Sequence, residues 1–375
     1  MAGNLEAEFA VGHAAADDNA AGDWSRLVLD CVGQIRPLAD RAELGFVYVT
    51  DHLVPHLAGI VALLRQSTGI ATWVGSVGLG IIATGTEYFD RPAITVMAAA
   101  LPSGSWRLWR SGDDPAAAAP GAGLEPEFGV IHADPHEADL SGAVASLAGD
   151  MERFLVGGLA SSRGAHDQVA GEVVRGGLAG VLFRPGIAVA TGLSQGCSPI
   201  GPVRRITAAR RNVLFEIDGE PALEVFKRDI GEVLARKLER VAGYIHAAFP
   251  VTGSDTGDYL VRNLVGIDPE RGWLAVGERV AVGDRVLFVR RDREAAGQDL
   301  VRMLQKVKRS CPRPPRGGLY FSCLARGPNL FGPGSAELQI VRRELGDVPL
   351  VGMFCNGEIS NNRLYCYTGV IALFV

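Results

Sequence analysis

Two distant stretches of this chain carry glycines at the same spacing. Val74-Gly75 is followed by four residues, then Gly80 and Ile82; Val351-Gly352 is followed by four residues, then Gly357 and Ile359. Each stretch follows an apolar strand and an amphipathic helical pattern, over Phe46 to Leu64 and over Leu319 to Leu345. Each precedes another apolar strand, Ala93 to Leu101 and Thr368 to Val375. Matching order and spacing predict a repeated strand–helix–strand–strand (βαββ) unit within one fold. The glycines predict places where backbone passes close to a neighbouring strand or to a bound molecule.

A weaker third copy is legible between them. Gly129-Val130-Ile131-His132 reads as its strand, Asp134-Pro135 as a helix start, and Leu140, Val144 and Leu147 as the apolar helix face. Phe154-Leu155-Val156-Gly157 supplies the glycine, but Ser162 stands where the second one belongs. Elsewhere the pattern predicts a helix over Glu232 to Ala248, strands over Tyr259 to Asp268 and Trp273 to Arg290, and a helix over Ala295 to Arg309. Residues 111–128 read as a Pro/Gly/Ala loop.

At 375 residues the chain is long enough for two domains. Glycine numbers 48, far above the usual ~7%, and it gathers beside strands, which points to crowded sheets. A net charge of −5 argues against nucleic-acid binding, which relies on a basic footprint. No apolar run approaches the ~18 residues of a membrane helix. Met1 to Trp24 lacks the basic start and apolar centre of a secretory signal, and the six cysteines form no C-x-x-C pair. These features predict a cytoplasmic protein with no membrane partner.

The chain resembles the FIST-domain family (F-box and intracellular signal transduction). The first module resembles FIST N in Val49-Thr50-Asp51-His52, Val74-Gly75-Ser76, Gly78-x-Gly80-Ile81-Ile82 and Glu87. Gln195-Gly196-Cys197 and Glu216-x-Asp218-Gly219 resemble the join, and Gly318-Leu319-Tyr320-Phe321-Ser322-Cys323, Ala325-Arg326-Gly327 and Asn356-Gly357-Glu358-Ile359 resemble FIST C. The resemblance implies a sensory protein that binds a small polar ligand, amino acids being among the suggested ligands, and signals to a separate partner protein. Its expected organisation is a flexible tail over 1–24, a FIST N-like domain over 25–218 and a FIST C-like domain over 219–375. The expected architecture is α/β, with mixed sheets and helices on their outer faces.

Two polar sets beside the glycines are the candidate ligand-binding residues. The first is Gly75, Ser76, Gly78, Gly80 and Glu87, with His52 at the neighbouring strand end. The second is Ser322, Cys323, Arg326, Asn356, Gly357 and Glu358. Arg326 offers a fork for a carboxylate and Glu358 a partner for an ammonium; the alternative is that these two residues pair with each other. Gly78-Leu79-Gly80 lacks the following helix and the later acidic residue of a dinucleotide site. His52-x-x-x-His56 and His132-x-x-x-His136 have a metal-like spacing, but neither has an evident third ligand. Cys323 and Cys355 lie on elements expected to pair. No catalytic constellation is recognisable, so no enzyme activity, cofactor or metal is expected. The alternative function is a protein-interaction adaptor without a small-molecule ligand.

Overall fold

The computed structural model describes residues 8–16, 23–113, 127–149, 154–238, 241, 243–251 and 257–375. The chain forms two compact units that are not consecutive in sequence. One comprises residues 1–194, 299–364 and 368–375, the other residues 195–298 and 365–367. The expected boundary at 218/219 falls within the smaller of these units.

The larger unit contains three six-stranded sheets. Each is built around a parallel pair joined by a helix, which is how two parallel neighbours are ordinarily connected. The pairs are Leu44–Thr50 with Thr72–Gly78, Phe128–Ala133 with Phe154–Leu159, and Gly317–Cys323 with Leu350–Cys355. On its other side, the first strand of each pair meets an antiparallel strand: Ala93–Ala100, Leu178–Phe183 or Thr368–Phe374. An edge strand completes that side: Glu8–Ala15, Trp106–Arg110 or Val189–Gln195.

The remaining two strands of each sheet come from another copy. Hairpin 80–89 pairs with Leu350–Cys355, hairpin 168–174 with Thr72–Gly78, and hairpin 358–365 with Phe154–Leu159. Each copy thus lends its hairpin to the copy before it, and the first lends its own to the third, so the exchange closes in a ring. The repeating element is longer than the βαββ unit expected from the sequence, because this hairpin stands between the second parallel strand and the closing strand. The second compact unit is inserted into the third copy, after its edge strand.

Alternation of side chains along the strands divides each sheet into two faces. Inward residues from all three sheets, among them Phe46, Met97, Val130, Phe183, Phe321 and Phe374, share one core. Outward residues such as Val47 and Val96 pack beneath helices Trp24–Ala39 and Leu57–Thr68. Leu57, Ile60, Val61 and Leu64 give the second helix a buried stripe, and Gly69 ends it in the left-handed region at φ 74°.

The repeated glycine has a steric cause. A Cβ on Gly75 would overlap the carbonyl oxygen of Val47 across the parallel pair; on Gly157 it would overlap that of Ile131, and on Gly352 that of Tyr320. These three positions occupy the same register in their pairs. Close backbone approach, rather than a guest molecule, excludes side chains there.

The smaller unit is antiparallel. Arg285–Arg291, Arg204–Arg210, Val213–Ile217, Trp273–Val276, Tyr259–Asp268 and Ile245–Pro250 pair in sequence, and Ile245–Pro250 returns to Arg285–Arg291 to close a six-stranded ring. Phe226 of helix Ala222–Ile230 packs against Phe288 in the core of this unit.

Two expectations about elements are corrected. Among the described residues, the helix expected over 232–248 is Glu232–Ala235, and Ile245–Pro250 is a strand. Its apolar run is satisfied by pairing on both edges, which periodicity cannot reveal. Residues 8–15 of the expected tail form an edge strand paired with Ala93–Ala100. Residues 1–7 and 17–22 of that tail, and 114–126 of the expected loop, lie outside the described residues. No helix among the described residues is long and apolar enough to cross a membrane.

Candidate functional site

The equivalent registers place one inward row of residues across each sheet of the larger unit. In the first sheet the row is Thr95, Tyr48, Ser76 and Gln168. In the second it is Ala179, His132, Gly158 and Glu358. In the third it is Val370, Phe321, Met353 and Ile81. The second member of each row meets the other two. Ring centroids are 5.5 Å apart for Tyr48 and His132, 6.1 Å for Tyr48 and Phe321, and 5.8 Å for His132 and Phe321.

Two of these rows are polar and one is apolar. Thr95, His132, Gln168 and Glu358 are fully buried. Tyr48 Oη lies 3.2 Å from His132 Nε2, and Gln168 Nε2 donates to the carbonyl of Gly177 at 3.1 Å. Glu358 Oε2 accepts from the Thr368 hydroxyl at 2.7 Å and from its N–H at 3.2 Å. The other polar atom of each side chain, and the hydroxyl of Thr95, has no protein partner: His132 Nδ1, Gln168 Oε1, Glu358 Oε1 and Thr95 Oγ1. Buried polar atoms are normally satisfied, so four such atoms at one level of the fold require explanation.

Burial sets the charge of this layer. It lowers the His132 imidazole to about 3, so the ring is neutral at physiological pH. It raises the Glu358 carboxyl to about 8 against the opposing hydrogen bonds from Thr368, so the group is largely protonated at pH 7. Tyr48 is pushed well above its ordinary value by burial, with Cys355 adding to the shift. The layer therefore offers hydrogen-bond donors and acceptors with little net charge.

Outward residues of the third sheet form a separate ionic network. Glu337, on helix Ala336–Leu345, accepts from Tyr320 Oη at 2.6 Å, Ser322 Oγ at 3.0 Å, Arg326 Nε at 2.9 Å and the Gly327 N–H at 2.8 Å. Arg326 and Glu337 are both fully buried. Burial opposes the Arg326 charge, and Glu337 more than restores it. Glu87 stands at the margin of this network. Its Oε2 has no protein partner, and burial together with the Glu337 charge raises its carboxyl to about 7.

The residues expected from sequence fall into different places. Arg326 and Glu358 do not form the expected clamp or the expected pair: Arg326 is committed to Glu337 and Glu358 to Thr368. Strand alternation explains the separation, since Ser322 faces outward toward Glu337 while Cys323 faces the inner layer with Cys355. Asn356 Nδ2 donates to the Ala160 carbonyl, and the Gly357 carbonyl accepts from the Leu159 N–H. Ser76 lies in the first inward row, and its hydroxyl reaches the Asp167 carbonyl at 3.3 Å. A Cβ on Gly78 would meet the Gly80 carbonyl oxygen, and one on Gly80 the ring of Phe89, so protein atoms fill both places. His52 Nδ1 lies 3.4 Å from Asp51, whose carboxylate is held by Arg163.

Sequence reasoning missed Tyr48, Thr95, Gln168 and Glu337 as site residues, and it weighed His132, placed at a strand end, only for metal binding with His136. Tyr48 and Thr95 are polar interruptions within otherwise apolar strands. Gln168 and Glu337 gave no local signal, because hairpin exchange and helix docking bring them to their partners.

Comparison with known proteins identifies the fold's relatives. The FIST N domain pattern matches residues 43–220 and the FIST C domain pattern matches residues 222–361. An uncharacterised protein of Mycobacterium tuberculosis is 31% identical over 349 residues, covering 87% of this chain and 88% of its own length. An uncharacterised protein of Mycobacterium bovis is 32% identical over 217 residues, covering 54% of this chain and 55% of its own. FIST domains are associated with signal transduction and small-ligand sensing. Both domain matches and the near-full-length relative place this chain in the FIST-domain family.

Proposed function

We propose that the protein is a cytoplasmic sensor that binds a small polar molecule at the inner layer of the larger unit and signals its presence to a partner protein. The supporting observation is the set of four fully buried polar atoms without protein partners on the two polar rows. A ligand that supplies both donors and acceptors satisfies them, and an amino acid or a small amide has this character. Ser76 and Glu358, expected from sequence, belong to the site; Gln168, His132 and Thr95 complete it.

Gln168 and Glu358 also suggest how a ligand enters a closed layer. Both sit on exchanged hairpins, and each hairpin is held to its host strand by three paired residues with a few flanking backbone hydrogen bonds, a shorter pairing than the parallel ones. Short pairings open at lower cost than the long parallel ones. A ligand bound to their side chains favours the docked state, by no more than its difference in affinity between docked and open forms. The partner reads the docked hairpins.

A thermal-shift screen with amino acids, small amides and small carboxylates tests this reading. At least one compound raises the melting temperature of the wild-type protein, and Gln168→Leu or Glu358→Gln removes that response. If no compound stabilises the protein, or if both variants respond like wild type, the reading fails.

A further inference from the structure

A second polar cluster lies at the root of one exchanged hairpin, outside the inner rows. Asp134 directly follows the strand Phe128–Ala133. Its Oδ1 accepts the His136 N–H at 2.9 Å and lies 3.0 Å from His136 Nδ1. The His136 ring meets the His166 ring edge-on, with centroids 4.8 Å apart and planes at 75°. One ligand atom from each of Asp134, His136 and His166 lies within 4.8 Å of the other two. His132, the sequence partner of His136 at helical spacing, takes no part; it faces the inner layer against Tyr48.

We propose that Asp134, His136 and His166 bind one divalent transition-metal ion of the zinc class. Two imidazoles and one carboxylate suit Zn²⁺ and its neighbours Co²⁺ and Ni²⁺ better than the all-oxygen cations. With metal–ligand bonds of about 2.0–2.1 Å, adjacent ligand atoms stand roughly 3.0–3.4 Å apart. Asp134 and His136 already have that spacing, and a ring nitrogen of His166 lies within 4.8 Å of both, so His166 must move closer to complete the set. The His136 side chain is 74% exposed, so water or a further ligand can take the remaining coordination position. The location agrees with the general rule that α/β sheets bind ligands beyond the carboxyl ends of their parallel strands.

The ion would act as a clasp. His166 lies two residues before Gln168, which begins the hairpin docked on Thr72–Gly78. Coordination therefore ties the root of that hairpin to the end of the strand Phe128–Ala133. This site does not depend on the small-molecule reading, because metal binding survives if the inner rows bind nothing.

The test is titration of metal-stripped full-length protein with Co²⁺ and with Zn²⁺, followed by the visible absorption of bound Co²⁺, by competition with a chromophoric chelator and by the melting temperature. The expected result is one equivalent bound in the micromolar range or tighter, with a higher melting temperature. His136→Ala and His166→Ala each weaken binding at least about tenfold, as loss of support around a metal commonly does. His56→Ala serves as the control and leaves binding unchanged. Both test residues carry ring contacts to each other at the surface, so circular dichroism confirms that the variants are folded. Absence of stoichiometric binding, or binding unchanged in both His136→Ala and His166→Ala, overturns the proposal.

Discussion

The first and third sheets of the larger unit share one strand order, one glycine register and one exchanged hairpin, yet their inward rows differ in kind. Across the first sheet the row reads Thr95, Tyr48, Ser76, Gln168; across the third it reads Val370, Phe321, Met353, Ile81. The third row shows that the architecture is compatible with a wholly apolar layer. Polar side chains in the first and second rows therefore follow from something other than the strand geometry, and the proposed ligand site would supply that reason. The glycines teach the opposite lesson. They are the same in all three sheets because backbone crowding is the same in all three.

The largest expected effect is on what the sheets share. Gly75→Ala, Gly157→Ala and Gly352→Ala each force a Cβ onto a carbonyl oxygen. Each is expected to lower stability by more than about 4 kcal/mol in chemical denaturation, or to prevent folding. Gly33→Ala provides the contrast: nothing lies within 4 Å of its added Cβ, and the position is in a helix. That change is expected to stabilise by up to about 1 kcal/mol.

Next in size is the ionic network found on the third sheet. Arg326→Ala strands the fully buried Glu337 carboxylate and is expected to cost about 3–5 kcal/mol. Arg326→Met combined with Glu337→Leu removes both charges and is expected to recover most of that loss. If the double variant is as unstable as the single one, the stranded charge is not the cause.

Smaller effects distinguish the polar rows by pH. The Glu358 carboxyl is raised by burial to about 8, so between pH ~4.5 and ~8 the folded protein holds a proton that the unfolded chain has released. The contribution to stability is full below that range and is lost as pH rises through it. Glu358→Gln is expected to flatten this fall. His132 is shifted by burial in the other direction, to about 3, so its contribution is full above pH ~6.5 and is lost as pH falls toward 3. His132→Phe, which copies Phe321 of the third row, is expected to reduce acid destabilisation. Denaturation curves measured at intervals from pH 4 to pH 9 check both signs.

The α/β class, the family and the repeated glycines were legible in the sequence because each leaves a local trace: periodic apolar residues, ordered motifs and fixed spacing. The hairpin exchange was not, because a hairpin reads the same whether it pairs with its own copy or with another. That exchange puts Glu358 beside Gly158 and Gln168 beside Ser76, so the true neighbours of the candidate residues lay far away in sequence. Arg326 was expected to hold a ligand carboxylate or to pair with Glu358; its ionic partner is Glu337, on the helix Ala336–Leu345. The strand Ile245–Pro250 was hidden for a related reason, since its long-range pairs outweigh local helical propensity.

Amide hydrogen exchange of the three hairpins, with and without the most stabilising compound from the thermal-shift screen, tests the ligand account most directly. Ligand is expected to slow exchange in residues 168–174 and 358–365, which carry Gln168 and Glu358, far more than in residues 80–89, which carry Ile81 at the matching register. Equal protection of all three hairpins, or protection confined to residues 80–89, would contradict it.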